Sequence, residues 1–186
     1  MLLAVLLVYA GVSTATRYPM PAAGSDLIGE LVLDKASRSE TLLDIARRHD
    51  IGQNEIGLAN PGVDRWLPEE GDPVLIPSHY VLPNAPRRGL VLNLPEMRIY
   101  HFRPGTKDAP PSVSTYPASI GRMDWETPLG TTRIVAKKVD PTWTPPASIR
   151  AEHAKHGDIL PAVVPAGPDN PLGAYAMRLS NRSYLI

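Results

Sequence analysis

The chain contains no cysteine. That excludes a disulfide scaffold and any mechanism that forms a thioester within residues 1–186. It has one phenylalanine against twenty-one prolines, so turns, extended segments and many short strands are expected in preference to a helical bundle. Nineteen basic residues balance nineteen acidic ones with no block of like charge, which argues against a nucleic-acid surface or an anionic-membrane surface. Activated serine nucleophiles leave no signature either. No serine stands three residues before Lys35, Lys107, Lys137, Lys138 or Lys155, and there is no Gly-x-Ser-x-Gly elbow.

What is present begins with an apolar run over residues 1–12, followed by the small residues Ser13, Thr14 and Ala15. This pattern reads as a cleaved signal peptide over residues 1–15, hence export, with an uncleaved anchor as the alternative. The run lacks a positive leader and is shorter than the roughly 20 apolar residues of an ordinary transmembrane helix. No lipobox cysteine marks a lipoprotein. Residues 16–26 read as a linker.

Residues 27–80 have the order strand, helix, helix, strand. A strand is expected over 29–33. A helix over 39–49 places Leu42, Leu43, Ile45 and Ala46 at helical spacing, with Ser39 as its cap and Arg47, Arg48 and His49 at its end. A weaker helix over 54–59 carries Ile56 and Ala59 on one face and is stopped by Asn60-Pro61-Gly62. A strand over 73–77, bounded by prolines, suits a sheet edge. With Glu40-Thr41-Leu42 opening the first helix, Ile45-Ala46 inside it, Ala59-Asn60-Pro61 ending the second and Val74-Leu75-Ile76-Pro77 closing the unit, this segment resembles a LysM module. Arg38-Ser39-Glu40-Thr41-Leu42 stands where that family usually has Gly-Asp-Thr-Leu. The resemblance implies binding of N-acetylglucosamine-containing glycans, with Glu40, Thr41, Leu42, Asn60, Pro61 and Gly62 as candidate contacts. A purely structural reading stands beside it: Thr41 caps a helix, Leu42 is core, and Asn60-Pro61-Gly62 turns the chain.

From residue 88 the composition shifts to strands and loops. Runs at 90–94 and 97–102, separated by Pro95-Glu96, predict a hairpin with a two-residue gap. Further strands are expected over 113–120 and 131–136, with Gly121-Arg122 and Thr127-Pro128-Leu129-Gly130 as loops between them. Ser148 is placed to cap a short helix over 149–156 that ends at Gly157. A Pro- and Gly-rich loop then feeds an alternating run from Tyr175 to Ser180, and another run opens at Tyr184. His153 and His156 with Glu152 and Asp158 lack the His-Glu-x-x-His spacing of zinc proteases, so a solvated helix end is expected and no metal. Trp125 and Trp143 read as cover for the sheet, with a substrate cleft as the alternative. Arg178 reads as an outward-facing strand residue, with a carboxylate-orienting role as the alternative.

Leu92-Asn-Leu-Pro-Glu-Met-Arg-Ile-Tyr100, then Ile120-Gly-Arg122, Trp125-Glu-Thr-Pro-Leu-Gly-Thr-Thr132, Pro141-Thr-Trp-Thr-Pro-Pro146 and Gly173-Ala-Tyr-Ala-Met-Arg-Leu179 occur in the order that resembles the L,D-transpeptidase catalytic domain (YkuD type). That family continues into His-Gly-Thr and Ser-His-Gly-Cys motifs, and neither occurs here. The resemblance therefore implies the front part of such a domain, truncated, with catalytic residues expected beyond Ile186 and none within the chain. The implied chemistry needs no cofactor. A cysteine thiolate displaces D-Ala from a peptidoglycan stem peptide, and an amine of another stem or of a wall-anchored lipoprotein resolves the thioester.

The combined expectation is an α+β chain: a small βααβ LysM module over 27–80, followed over 88–186 by an incomplete, mainly β L,D-transpeptidase catalytic domain. The location expected is the periplasm, and the partners are peptidoglycan glycan and stem peptides, with no nucleic acid. The alternative is a non-enzymatic periplasmic peptidoglycan-binding LysM protein. Missing strand partners would leave residues 88–186 open to protease while 27–80 resist.

Overall fold

A computed structural model describes residues 16–120, 127–181 and 184–186. The expected signal peptide, the Gly121-Arg122 loop and Trp125 lie outside the described residues. The chain divides into two compact units, Met1–Thr127 and Pro128–Ile186.

The first unit runs β1 (Arg17–Pro19), β2 (Leu27–Gly29), β3 (Val32–Lys35), α1 (Leu42–Arg48), α2 (Gln53–Ala59), β4 (Pro73–Ile76), β5 (His79–Val81), β6 (Gly89–Asn93), β7 (Arg98–Arg103) and β8 (Ser112–Pro117). An antiparallel sheet has the order β1-β8-β7-β6, while β2 pairs with β5 and β3 with β4. The expected linker thus contributes a strand. Arg17, Tyr18 and Pro19 pair with Ser114, Val113 and Ser112, an edge position where a proline without an N–H is tolerated.

The strand expected over 29–33 is two strands, because Gly29 has φ +72° and a Cβ there would lie 1.9 Å from the Ser78 carbonyl oxygen. Only glycine accepts that backbone so close to its neighbour. The opposing chain bends at the same level, between β4 and β5, where the Ser78 hydroxyl donates to the Glu30 carbonyl at 2.6 Å. The first helix starts later than expected, with Thr41 and not Ser39 as its N-cap. Asp44 three residues on completes a reciprocal capping box with Thr41, whereas the Ser39 hydroxyl meets that of Ser37 at 3.0 Å. The hairpin between β6 and β7 turns over four residues, 94–97, with the Met97 N–H donating to the Leu94 carbonyl at 3.0 Å. Met97 takes φ +51°, so the chain re-enters the strand one residue later than the pattern suggests.

The core of this unit does not stop at residue 80. Leu42, Ile45 and Ile56 from the helices, and Val74, Ile76 and Tyr80 from the short strands, form one buried cluster with Tyr100, Phe102 and Val113 of the sheet. Tyr100 and Val113 are fully buried, and burial of side chains this size stabilises by roughly 1.5–3 kcal/mol each. Arg98 lies among them at 1% exposure. Its guanidinium donates to the Glu55 carboxylate at 2.7 Å, the Thr115 hydroxyl at 3.0 Å and the Asp50 carbonyl at 3.0 Å, and it sits 4.2 Å from the centre of the Tyr80 ring. A buried charge of this kind is tolerable only because every face of it has a partner.

The second unit contains β9 (Ile134–Val139), α3 (Ala147–Lys155) and β10 (Tyr175–Leu179). The strand expected over 131–136 lies a few residues later, fixed by antiparallel pairing from Tyr175 opposite Val139 to Leu179 opposite Ile134. The helix begins behind Pro146, so Ser148 is inside it and does not cap it. Proline's fixed φ suits a helix start. Gly157, with φ +79°, follows the C-cap His156, as the sequence suggested. The run opening at Tyr184 pairs back on β10, with Met177 and Ile186 exchanging N–H···O bonds of 2.7 and 3.0 Å. All six residues of β9 are exposed and no residue of α3 is buried.

Two outcomes follow. Under limited trypsin, sites in β9 and α3 (Lys137, Lys138, Arg150, Lys155) are cut first while residues 17–120 persist as one fragment; early cleavage within β7 or β8 contradicts the shared core. Arg98→Ala lowers stability in urea melts by about 3 kcal/mol, at the low end for a broken buried pair because Glu55 reaches solvent. Arg98→Met, which keeps volume and removes the charge, costs clearly less.

Candidate functional site

The candidate glycan contacts come from two loops, one before α1 and one after α2. Thr41 is held by the cap it makes: its hydroxyl accepts the Asp44 N–H at 3.1 Å and lies 2.6 Å from the Asp44 carboxylate. Those bonds from the Thr41 side chain and backbone, aided by Arg47, keep the Asp44 carboxyl below its ordinary range. Glu40 is tied by its carboxylate to Arg48 at 3.2 Å. Arg48 also reaches Asp34 at 2.7 Å, and His49 meets the same Asp34 oxygen at 2.6 Å. The His49 contact first, and the Lys35 N–H next, hold the Asp34 carboxyl low. Leu42 is core, at 1% exposure.

On the second loop Asn60 is buried and committed inward. Its amide donates to the Ile56 carbonyl at 2.9 Å and the Leu75 carbonyl at 2.8 Å, and its oxygen accepts the Leu75 N–H at 2.7 Å. It therefore stitches the end of α2 to β4. Pro61 and Gly62 are exposed, and a Cβ added at Gly62 would meet nothing within 4 Å.

Backbone contacts bring the two loops together: the Leu42 N–H donates to the Arg65 carbonyl at 3.0 Å, the Ala36 N–H to the Asp72 carbonyl at 2.9 Å and the Gly71 N–H to the Ala36 carbonyl at 2.9 Å. The Leu42 bond satisfies an N–H that the helix start leaves without an intrahelical partner. Of the six candidates, Thr41, Leu42 and Asn60 shape the loops from within, while Glu40, Pro61 and Gly62 are the ones with surface to offer. Sequence reasoning passed over Trp66 and Leu67, which stand 67% and 73% exposed on the same loop. Both of their N–H groups donate to the Asp64 carboxylate at 2.8 Å, which holds that carboxyl low. An Asp two residues before a Trp, just after a turn, was the signal available.

A separate open cleft of about 540 Å³ lies between the start of α2 and the turn at Met97. Its acids are already engaged: Glu55 with Arg98 and the Gly52 N–H, Glu96 with Asn93 and the Tyr100 hydroxyl. In the second unit His153 pairs with Asp158 at 2.6 Å, and among the described residues no three potential ligands gather to hold a metal ion. Trp143 exchanges backbone bonds of 2.9 and 2.7 Å with Val164 and is partly buried. Arg178 is exposed on β10. The buried Asn170 pins the Pro-rich loop, its amide donating to the carbonyls of Pro141 at 2.8 Å and Pro165 at 3.0 Å.

Comparison with known proteins gives a consistent answer. The L,D-transpeptidase catalytic domain family (YkuD) matches residues 87–186. The chain is 43% identical over 169 residues to the probable L,D-transpeptidase YcfS of Escherichia coli strain K12, covering 89% of this chain and 52% of that protein. It is 39% identical over 181 residues to the probable L,D-transpeptidase YbiS of the same strain, covering 96% and 58%. It is 41% identical over 177 residues to the probable L,D-transpeptidase ErfK/SrfK of Salmonella typhimurium strain LT2, covering 94% and 56%. The chain spans about half the length of these curated relatives.

The geometry separates two kinds of substitution at the site. Asn60→Ala leaves the Leu75 N–H and two carbonyls without their partner and lowers stability by roughly 2 kcal/mol. Asn60→Asp, which turns a carboxylate oxygen toward those carbonyls, lowers the melting temperature further. Equal stability of Asn60→Ala and wild type would remove Asn60 from its stitching role.

Proposed function

Because this chain belongs to the L,D-transpeptidase catalytic-domain family, we propose that it forms the wall-binding and leading part of a periplasmic peptidoglycan L,D-transpeptidase, exported by residues 1–15. Residues 27–80 act as a LysM module on the glycan strand, and residues 88–186 form the front of the catalytic domain. The observation that carries the reading is the family match over residues 87–186. The meeting of the two candidate loops through Leu42 and Arg65 supports the binding half.

In this reading a cysteine thiolate attacks the carbonyl of a stem peptide, its new C–S bond replacing the C–N bond to D-Ala, which leaves with a proton. An amine of a second stem, or of a wall-anchored lipoprotein, then displaces the thiolate. Residues 1–186 supply no thiol, so by themselves they bind and do not transfer. The second reading is a periplasmic wall-binding LysM protein without catalysis. A carbapenem distinguishes the two on the product of the whole gene: a covalent adduct on a cysteine supports transfer, and a gene product with neither cysteine nor adduct supports binding alone.

For the binding half, Gly62→Glu places a charged side chain in open space at a non-strained backbone position. It is expected to weaken co-sedimentation with purified sacculi at least about fivefold, roughly 1 kcal/mol, without lowering the melting temperature. Wild-type chain that stays in the supernatant would remove the glycan-binding proposal.

A further inference from the structure

One face of the four-stranded sheet collects positive charge that no described residue neutralises. Tyr18, Val113, Phe102 and Tyr100 turn toward the core, so alternation along the strands sends Arg17, His101, Arg103, Ser112 and Ser114 to the opposite face. The register sets Arg17 opposite Ser114, Ser114 opposite His101, and Arg103 opposite Ser112. Residues directly opposite stand about 5 Å apart, so Arg17 and His101 flank Ser114. Arg103 reaches diagonally into the same place, donating to the Ser114 hydroxyl at 3.0 Å. Ser114 is 1% exposed. It therefore lies beneath the guanidinium and positions it.

Arg47, Arg48, Arg87 and Arg98 each pair with a carboxylate. Among the described residues Arg17 and Arg103 have none within ion-pair distance. Strand β6 brings Leu90 opposite His101, β8 brings Ser114, and β1 brings Arg17, so no strand offers His101 an acid. Burial, then Arg103 and Arg17, press the His101 imidazole below its ordinary pKa. A chain with no net charge that nonetheless gathers two guanidinium groups and an imidazole on one sheet face has left room for an external anion.

We propose that this face binds an oxyanion, a carboxylate or phosphate group, held by the guanidinium groups of Arg17 and Arg103 with His101 as a third donor. The site is independent of the candidate glycan loops. Charge-assisted bonds from two guanidinium groups suit a planar or tetrahedral oxyanion better than a spherical halide.

The test follows the His101 ring by NMR in the full chain, assigned with His101→Gln, during titration with inorganic phosphate, with glutarate, and with sodium chloride at matched ionic strength. The expected result is a saturable shift and a raised His101 titration midpoint with one or both oxyanions and not with chloride. Saturation by phosphate alone assigns the ligand to phosphate esters, and saturation by glutarate alone assigns it to carboxylates. Arg17→Gln, at an exposed position on the edge strand, weakens binding at least about tenfold with an unchanged melting temperature. Arg103→Gln does the same if it folds; if it does not, Arg17→Gln decides. Equal shifts with chloride, no shift with any salt, or wild-type affinity in Arg17→Gln would overturn the proposal.

Discussion

Arg98 is the constraint on which the first unit depends. It is a charged side chain at 1% exposure, and it survives there only because Glu55 from α2, Asp50 from the loop between the helices, Thr115 from β8 and the ring of Tyr80 close around it. Each of those partners comes from a different part of the fold. The ion pair therefore fixes where the helices stand against the sheet, a geometric role that apolar packing alone specifies less sharply. Glu55 also receives the Gly52 N–H at 2.6 Å, so one carboxylate both starts α2 and anchors the sheet.

Local chemistry was legible in the sequence wherever a short-range rule decided the outcome. The βααβ order, the stop at Asn60-Pro61-Gly62, the glycine after α3 and the β6–β7 hairpin all rest on such rules. Choices between near-equal neighbours were harder. Ser39 and Thr41 are both good caps, and only Asp44, at the right offset from Thr41, separates them. The break at Gly29 comes from the Ser78 carbonyl 49 residues further along, which no local window contains. The placement of β1 depends likewise on β8, nearly a hundred residues away.

The family match begins at residue 87, but that one core crosses the boundary expected between residues 80 and 88 was hidden from the sequence for the same reason. Arg98 reads as an exposed strand residue in sequence, since arginine is rarely buried without partners, and two of its partners, Glu55 and Asp50, lie more than forty residues earlier. Once it is seen buried, Tyr100, Phe102 and Val113 belong to the same core as Leu42 and Ile56. The candidate site was half legible. Its loops were found by motif, but whether a side chain looks inward, as Asn60 does, or outward, as Trp66 does, is a tertiary fact.

The functional consequence is that the proposed wall-binding loops and the leading sheet of the catalytic-family region form one body with a common core. Native-state hydrogen exchange measures this most directly. The account predicts that the amides of Ile45, Val74, Tyr100 and Val113 exchange through one opening, with the same free energy and the same denaturant dependence. If Ile45 and Val74 stay protected while Tyr100 and Val113 exchange through a separate, cheaper opening, the helical module and the sheet are independent, and the account is wrong.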